Sequence, residues 1–100
     1  MTERIRVVID PDLVELIPGF LNNRRRDVDV LREAVAKADY NTARIIGHSM
    51  KGAGGGYGFQ PITEFGDAIE VAALAADGAQ ILAAATLLED YLARVDPVIE

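Results

Sequence analysis

Four segments of apolar residues at helical spacing limit what this chain can fold into. In an α-helix, residues three or four apart share one face, and that spacing persists through four stretches joined by short turns. The apolar positions are Leu21, Val28, Leu31, Val35 and Ala38 in the first stretch, Ala43, Ile46, Met50, Ala53 and Tyr57 in the second, Ile62, Phe65, Ile69, Ala72 and Ala76 in the third, and Ile81, Ala85, Leu88, Leu92 and Val95 in the fourth. Because short turns make sequential helices antiparallel, we predict an all-α, up-down-up-down four-helix bundle.

Residues with known helix-end preferences mark the borders of the second stretch. Asp39 or Asn41 can cap a helix that begins near Thr42, because their side-chain oxygens accept from free backbone N–H groups. Gly58 suits the left-handed conformation that ends a helix, and Pro61 suits the first turn of the next one. The second stretch is therefore expected to be a helix with defined ends.

The two ends of the chain are less regular. Residues 4–9 could be extended, and we interpret them as an arm packed against the bundle, because no second strand is evident to pair with them. Asp10-Pro11-Asp12 predicts a short capping helix, which Pro18-Gly19 breaks or kinks. Asp77-Gly78 separates the third and fourth helices, and Pro97 ends the fourth.

Length and hydropathy point to one domain away from the membrane. A chain of 100 residues suits a single domain, 1–100. It has no apolar run near the 18 or so residues that a membrane span needs, and its start lacks the apolar region of a signal peptide. We expect a cytoplasmic protein with no membrane partner, and the ends of the sequence favour a stand-alone protein over a domain of a kinase.

Charge and residue types exclude several kinds of site. The chain has no cysteine and one histidine, so a zinc site would need mostly carboxylate ligands, and we expect no metal site. A net charge of −6 disfavours nucleic acid as a partner. The basic run Arg24-Arg25-Arg26 interrupts the first apolar stripe, and acids come shortly after it. We expect it on a solvated helix face.

Residues 47–58 contain the single histidine and six of the nine glycines. At about 100° per residue, a helix here places four residues on one stripe opposite the apolar positions: His48, Lys51, Gly52 and Gly55. Each interior glycine costs a helix about 1 kcal/mol relative to alanine. Their absent side chains should therefore allow close approach of another backbone or a partner surface. The alternative is a loop over residues 54–56.

His48 and Lys51 lie one helical turn apart and form a candidate reactive pair. A free imidazole has a pKa of about 6.5 and is largely neutral at pH 7, so an exposed histidine would be available as a nucleophile. It needs a group that orients one ring nitrogen and a cation near the other. Lys51 can supply that cation, and an ammonium suits phosphate oxygens. The alternatives are a surface histidine without function and a solvated lysine.

The sequence His48-Ser49-Met50-Lys51-Gly52, with Gly58 ten residues after the histidine, resembles the histidine-containing phosphotransfer (Hpt) domain family. The family pattern is His, any residue, an apolar residue, Lys, Gly and a later Gly. The resemblance extends from about Asp10 to Val95. It implies a covalent phosphoryl carrier of a two-component phosphorelay, with no ATP site and no cofactor of its own.

The same resemblance implies a role for each matching residue. His48 would accept the phosphoryl group on its outer ring nitrogen, and Lys51 would neutralise the phosphate. Gly52 would let a response-regulator receiver domain dock, within a patch completed by Gly55, Arg44 and Ile45. A histidine kinase or hybrid receiver would charge the histidine, and the partner receiver would supply the aspartate and Mg²⁺.

One branch of the family looks especially similar, the phosphorylatable domain of chemotaxis-type histidine kinases. In that branch a glutamate on the following helix accepts a hydrogen bond from the inner nitrogen of the histidine, and Glu70 matches its position. Many other Hpt domains have glutamine there. The alternative for Glu70 is a solvent-facing acid beside Asp67. The run Gly54-Gly55-Gly56 is richer in glycine than the family pattern requires.

Two other functions fit parts of the sequence. A non-catalytic helical interaction module would make His48 incidental. A nucleotide-binding loop would use the glycine spacing of residues 52–58, but such loops lie between a strand and a helix. Here residues 43–50, before the glycines, have a helical pattern, and Gln60-Pro61 interrupts the segment after them.

Overall fold

The four apolar stripes form four α-helices in this computed structural model, which describes residues 3–99. The elements in chain order are β1 (Ile5–Ile9), a 3-10 helix (Pro11–Leu16), α1 (Ile17–Ala36), α2 (Tyr40–Gly54), a 3-10 turn (Gly55–Tyr57), α3 (Gln60–Leu74), α4 (Gly78–Arg94) and β2 (Val95–Ile99). Each helix packs against two neighbours, α1 and α3 each lying between α2 and α4. The predicted four-helix bundle is confirmed. Met1, Thr2 and Glu100, which the predicted domain includes, lie outside the described residues.

The core is built from the predicted apolar positions of all four helices. Its largest fully buried side chains include Leu31, Met50, Ile62, Ile69, Ile81 and Leu88. Four predicted positions fall outside the α-helices: Tyr57 lies in the 3-10 turn, Val95 begins β2, and Ala38 and Ala76 follow the ends of α1 at Ala36 and of α3 at Leu74. Ala38 and Ala76 instead have positive φ angles of 53° and 52° in the turns after these helices.

The two three-residue turns, after α1 and after α3, have the same construction. After each left-handed alanine comes an aspartate, Asp39 or Asp77. Its carboxylate accepts a hydrogen bond from the backbone N–H three residues on, at 3.1 and 3.2 Å. Each aspartate thus satisfies one of the free N–H groups at the start of a helix. The cap of α2 is Asp39, whereas Asn41 accepts a hydrogen bond from Arg44.

The start of the chain differs from the sequence prediction in the type of its first short helix. The short helix capped by Asp10, which accepts from the Asp12 N–H at 2.9 Å, is a 3-10 helix. Pro18 lies in the first turn of α1, where its missing N–H needs no partner.

Within the basic run, Arg24 is half-buried, lies over the Phe20 ring and pairs with Asp27 at 2.7 Å. Its two neighbours are exposed, as predicted.

The predicted arm is a strand with a partner, and the expectation that residues 4–9 lack one was wrong. β1 and β2 pair in parallel, with Ile5 opposite Val95 and Ile9 opposite Ile99. The fourth helix ends at Arg94, three residues before Pro97, since a proline disfavours helical geometry in the residue before it. Ile9 and Val95 are buried, so the strand pair closes one end of the bundle.

None of the helices within residues 3–99 is both long and apolar enough to cross a membrane.

Candidate functional site

The candidate site lies over the seam between α2 and α3, where glycines on both helices let the backbones approach closely. A Cβ atom added to Gly47 would lie 2.7 Å from the Glu70 nitrogen and 2.8 Å from the Gly66 oxygen. A Cβ atom added to Gly66 would collide with the backbone nitrogen of Lys51. Only glycine fits such a contact. The side chains that border the seam are therefore brought within hydrogen-bond distance of one another.

The C-terminal end of α2 is fastened to α3 by Thr63. Its hydroxyl donates to the Lys51 carbonyl at 3.0 Å and accepts from the Gly55 N–H at 2.8 Å. A Cβ atom on Gly54 would lie 2.5 Å from the Thr63 nitrogen, which again requires glycine. The α-helix therefore runs through Gly54, and the rest of the glycine run forms the 3-10 turn.

Aromatic stacking and a left-handed glycine complete that turn. Tyr57 stacks on Phe20 of α1 with ring centroids 4.5 Å apart, and Phe59 stacks on the same ring at 5.6 Å. Gly58 has φ 94°, the left-handed conformation predicted for it, and ends the 3-10 turn, whereas α2 itself ends earlier, at Gly54. These contacts fix the glycine-rich end of α2 without the side chains that glycine lacks.

His48 and Glu70 meet across the seam. The imidazole Nδ1 lies 2.8 Å from Oε2 of Glu70. The His48 side chain is 74% exposed, whereas that of Glu70 is 17% exposed. Because a carboxylate only accepts, Nδ1 carries the proton in this hydrogen bond and Nε2 keeps its lone pair. Nε2 makes no hydrogen bond to any described residue.

Lys51 lies one turn further along α2 and contacts two carboxylates of α3. Its Nζ is 3.0 Å from Oδ1 of Asp67 and 3.6 Å from Oε1 of Glu70. The hydrogen bond to Asp67, together with the attraction of that charge, raises the pKa of Lys51 above its ordinary value. Lys51 is therefore a cation at neutral pH, next to the exposed imidazole.

The four residues predicted to bind a partner have different surroundings. Gly52 is exposed, and nothing lies within 4 Å of the place where its Cβ would be. Ile45 is 52% exposed, and Arg44 is half-buried. Gly55 is exposed, but its missing Cβ would point at the side chains of Gln60 and Thr63. The structure thus brings His48, Lys51 and Glu70 together and leaves an open surface at Gly52.

A model of the Hpt domain family matches residues 15–97. This chain belongs to the Hpt domain family. Hpt domains are phosphotransfer modules of two-component phosphorelays; they carry phosphoryl groups and are not enzymes with catalytic sites of their own. The family carries no cofactor of its own and works with phosphorelay partners such as a kinase and a receiver. A search of curated proteins found no match, and a search of solved structures found none either.

The match spans all four α-helices of this Hpt domain and both sides of the seam. Among the described residues, no group of three or more His, Asp and Glu side chains is placed to hold a metal ion. The groups that meet across the seam are an imidazole, an ammonium and two carboxylates. The ordering of these groups depends on the close contact of α2 and α3.

Asp67 lies in the candidate site, where it pairs with Lys51, and it was not predicted from the sequence. Asp67 and Glu70 are three residues apart on α3, which matches the spacing of His48 and Lys51 on α2. Two pairs with this spacing on antiparallel helices can face each other. The shared spacing was therefore a signal in the sequence for the contact between Lys51 and Asp67. Thr63 gave no such signal, because its partners are backbone groups. Gly66 was also missed, because its neighbour lies on another helix.

Exposed apolar residues beside the site were also missed. Val71 and Leu74 on α3 are 59% and 70% exposed. The helices are antiparallel, with Gly54 beside Thr63 and Gly47 beside Glu70. Leu74, one turn beyond Glu70, therefore lies level with the part of α2 that carries Ile45. Exposed apolar side chains thus lie on both helices that form the seam.

Proposed function

We propose that this Hpt domain carries its phosphoryl group on Nε2 of His48. The observation that carries the proposal is the 2.8 Å contact between Nδ1 and Glu70 on an imidazole that is otherwise open to solvent. A carboxylate in this position fixes the tautomer and stabilises positive charge on the ring. Exposure of Nε2 allows a partner to bring the phosphorus atom in line with the lone pair.

The transfer step uses the Nε2 lone pair as the nucleophile. It attacks the phosphorus of an aspartyl phosphate on a receiver domain, so an N–P bond forms and the P–O bond breaks. The electron pair of that P–O bond stays on the receiver aspartate, which leaves as a carboxylate. The ring keeps its Nδ1 proton and becomes an imidazolium, whose charge Glu70 offsets. The reverse step returns the phosphoryl group to a receiver.

Lys51 supplies the cation of the site. Phosphoryl transfer depends mainly on positioning and on neutralising the charge of the phosphoryl oxygens. The ammonium lies one helical turn from His48 and is charged at neutral pH, so it can contact those oxygens after transfer. The Mg²⁺ ion is expected on the receiver. There it would neutralise the phosphoryl oxygens while the group is bound to the receiver aspartate.

The docking surface is proposed to surround His48. Gly52 leaves a flat approach on one side, and the exposed Ile45 adds apolar area on the other. Val71 extends this surface onto α3. Arg44 and Gly55 lie at its edges, where Gly55 also faces Thr63. Such a patch suits a transient partner, which must leave after each transfer.

Glu70 also supports a narrower relationship. Its carboxylate on the inner nitrogen of His48 is the arrangement that the sequence resemblance associates with chemotaxis-type histidine kinases. We place this chain, as a single domain over residues 1–100, beside that branch of the family. A cytoplasmic histidine kinase and a receiver domain are the partners that this relationship implies.

The test is site mapping of phosphate after incubation with a phosphorylated receiver domain. Intact mass should rise by one phosphoryl group, the modification should map to His48 and be acid-labile, and fresh receiver should remove it. His48→Gln, which keeps an exposed polar side chain, is the control and should gain nothing. Failure of a panel of receivers and of histidine kinases to modify His48 would contradict the proposal and favour a non-catalytic interaction module.

A further inference from the structure

The ion pair between Lys51 and Asp67 has no part in the transfer step itself. Lys51 lies closer to Asp67, at 3.0 Å, than to Glu70, at 3.6 Å. Both members of the Lys51–Asp67 pair are about half exposed, so neither is held by burial. The pair can therefore open without leaving a buried charge unpartnered.

A phosphoryl group on His48 would compete with Asp67 for the same ammonium. The unphosphorylated site contains one cation, Lys51, and two carboxylates, Asp67 and Glu70. Glu70 is committed to the imidazole by its 2.8 Å contact. A phosphoryl group adds oxygens of the same sign as Asp67, and like charges in one cluster repel each other. The single ammonium of Lys51 therefore cannot fully neutralise both the phosphoryl group and Asp67.

We propose that Asp67 is a positioning residue that competes with the phosphoryl group for Lys51 and thereby makes His48 a better phosphoryl donor. The inference rests on the proposed role of His48. When the N–P bond forms, Lys51 moves from Asp67 to the phosphoryl oxygens. When the bond breaks and the electron pair returns to Nε2, Asp67 takes the ammonium back. Asp67 thus lowers the stability of the phosphorylated state relative to the unphosphorylated one.

The quantity to measure is the equilibrium distribution of phosphate between the receiver and His48. Asp67→Asn removes the competing charge and keeps the size of the side chain. It should shift the distribution toward phosphorylated His48 by about 2- to 5-fold, the effect of one exposed ion pair. Asp67→Glu keeps the charge and should stay near wild type. Glu64→Gln removes an equal charge from an exposed position one turn earlier on α3, and it should change the distribution less.

A second variant separates competition for Lys51 from a merely structural role. In a Lys51→Gln background the ammonium is gone, so Asp67→Asn should have little further effect on the distribution. Non-additivity of this kind is the signature of two groups that act on each other. An equal effect of Asp67→Asn in both backgrounds would overturn the proposal.

The outcomes distinguish this proposal from the function on which it rests. If wild-type His48 accepts no phosphate, both are wrong. If the wild type exchanges phosphate with the receiver and Asp67→Asn leaves the distribution unchanged, only the role of Asp67 is wrong. Thermal unfolding of each variant checks that the bundle is intact.

Discussion

The carboxylate of Glu70 determines which nitrogen of His48 keeps a lone pair. Imidazole has two ring nitrogens, and a hydrogen bond at one assigns the proton there. The contact at Nδ1 leaves the lone pair on Nε2, the nucleophile in the proposed transfer, and 74% of the His48 side chain is exposed. In the proposed transfer, this one hydrogen bond would therefore select the reacting atom.

Substitution of Glu70 should separate its two contributions. Glu70→Gln keeps an oxygen acceptor for Nδ1 but loses the charge, whereas Glu70→Ala loses both. We expect the rate of phosphoryl gain from a phosphorylated receiver to fall about 10- to 100-fold in the alanine variant, and less in the glutamine variant. Rapid-quench kinetics measure the rates. A glutamine variant as slow as the alanine variant would show that charge, not orientation, is what Glu70 provides.

Asp39 should make the stability of the fold depend on pH in acid. Hydrogen bonds from the Thr42 hydroxyl and backbone hold the pKa of Asp39 below its ordinary value. A carboxyl whose pKa is lowered by folding stabilises the fold above its unfolded pKa of about 4. That stability is lost as the pH falls through the lower, folded pKa.

The variant Asp39→Asn isolates this effect, because asparagine also caps helices but does not titrate here. At pH 6 to 7, the wild type should unfold at a higher urea concentration than the variant. The difference should shrink below about pH 4, because the aspartate of the unfolded chain is protonated first and that of the folded chain follows at its lower pKa. A difference that stays constant from pH 7 to pH 2 would contradict the assignment.

At the scale of the elements, the seam between α2 and α3 leaves no room for added side-chain atoms at three glycines. Glycines on both helices, Gly47 and Gly54 on α2 and Gly66 on α3, lie against the opposing backbone. Exposed glycines in the same stretch, Gly52 and Gly56, face open space. The glycines of this stretch therefore fall into two groups, one that lets helices approach and one that leaves a surface bare.

A pair of alanine substitutions should distinguish the two groups. Gly66→Ala places a methyl group against the Lys51 backbone and should destabilise the domain by about 1–3 kcal/mol. Gly52→Ala meets no neighbour, so it should stabilise the helix by about 0.5–1 kcal/mol but slow transfer from the receiver. Thermal unfolding and transfer rates are the two readouts. Unchanged transfer in Gly52→Ala would remove Gly52 from the docking surface.

Sequence alone predicted the elements whose determinants are local. Apolar spacing indicated the four helices, and Asp39, Gly58 and Pro61 marked their ends, because caps act on neighbouring backbone groups. The second strand was missed, since β2 needs a partner about 90 positions earlier in the chain and Pro97 indicates only a helix end. The contact between Gly47 and Gly66 was missed for the same reason: it depends on how two helices pack.

At the scale of the whole molecule, the strand pair joins the two ends of the described chain. Ile9 of β1 is 2% exposed and Val95 of β2 is 7% exposed. Both belong to the same hydrophobic core as the helices. The strands therefore act as a cover over one end of the bundle, in place of the unpaired arm that the sequence suggested.

Truncation of a single strand side chain should measure how much this cover contributes. Ile9→Ala removes a fully buried side chain and should lower the free energy of unfolding by about 2–5 kcal/mol. Val8→Ala is the matched control, because Val8 is also β-branched, lies in the same strand and is 51% exposed. It should cost about 0.5 kcal/mol or less. Equal losses in urea unfolding would mean that β1 contributes through pairing and not through burial.

The parallel direction of the two strands has a mechanical consequence. Ile5 lies beside Val95 and Ile9 beside Ile99. The start of β1 and the end of β2 therefore lie at opposite ends of the strand pair. A force applied between Ile5 and Ile99 would act along the strands and load their hydrogen bonds together in shear, whereas a force between Ile5 and Val95 would peel them apart one by one. Single-molecule pulling from these two attachment pairs should give the higher rupture force for the first. Tension applied to the two ends of the described chain would therefore load the strand pair before it loads the helices that carry His48.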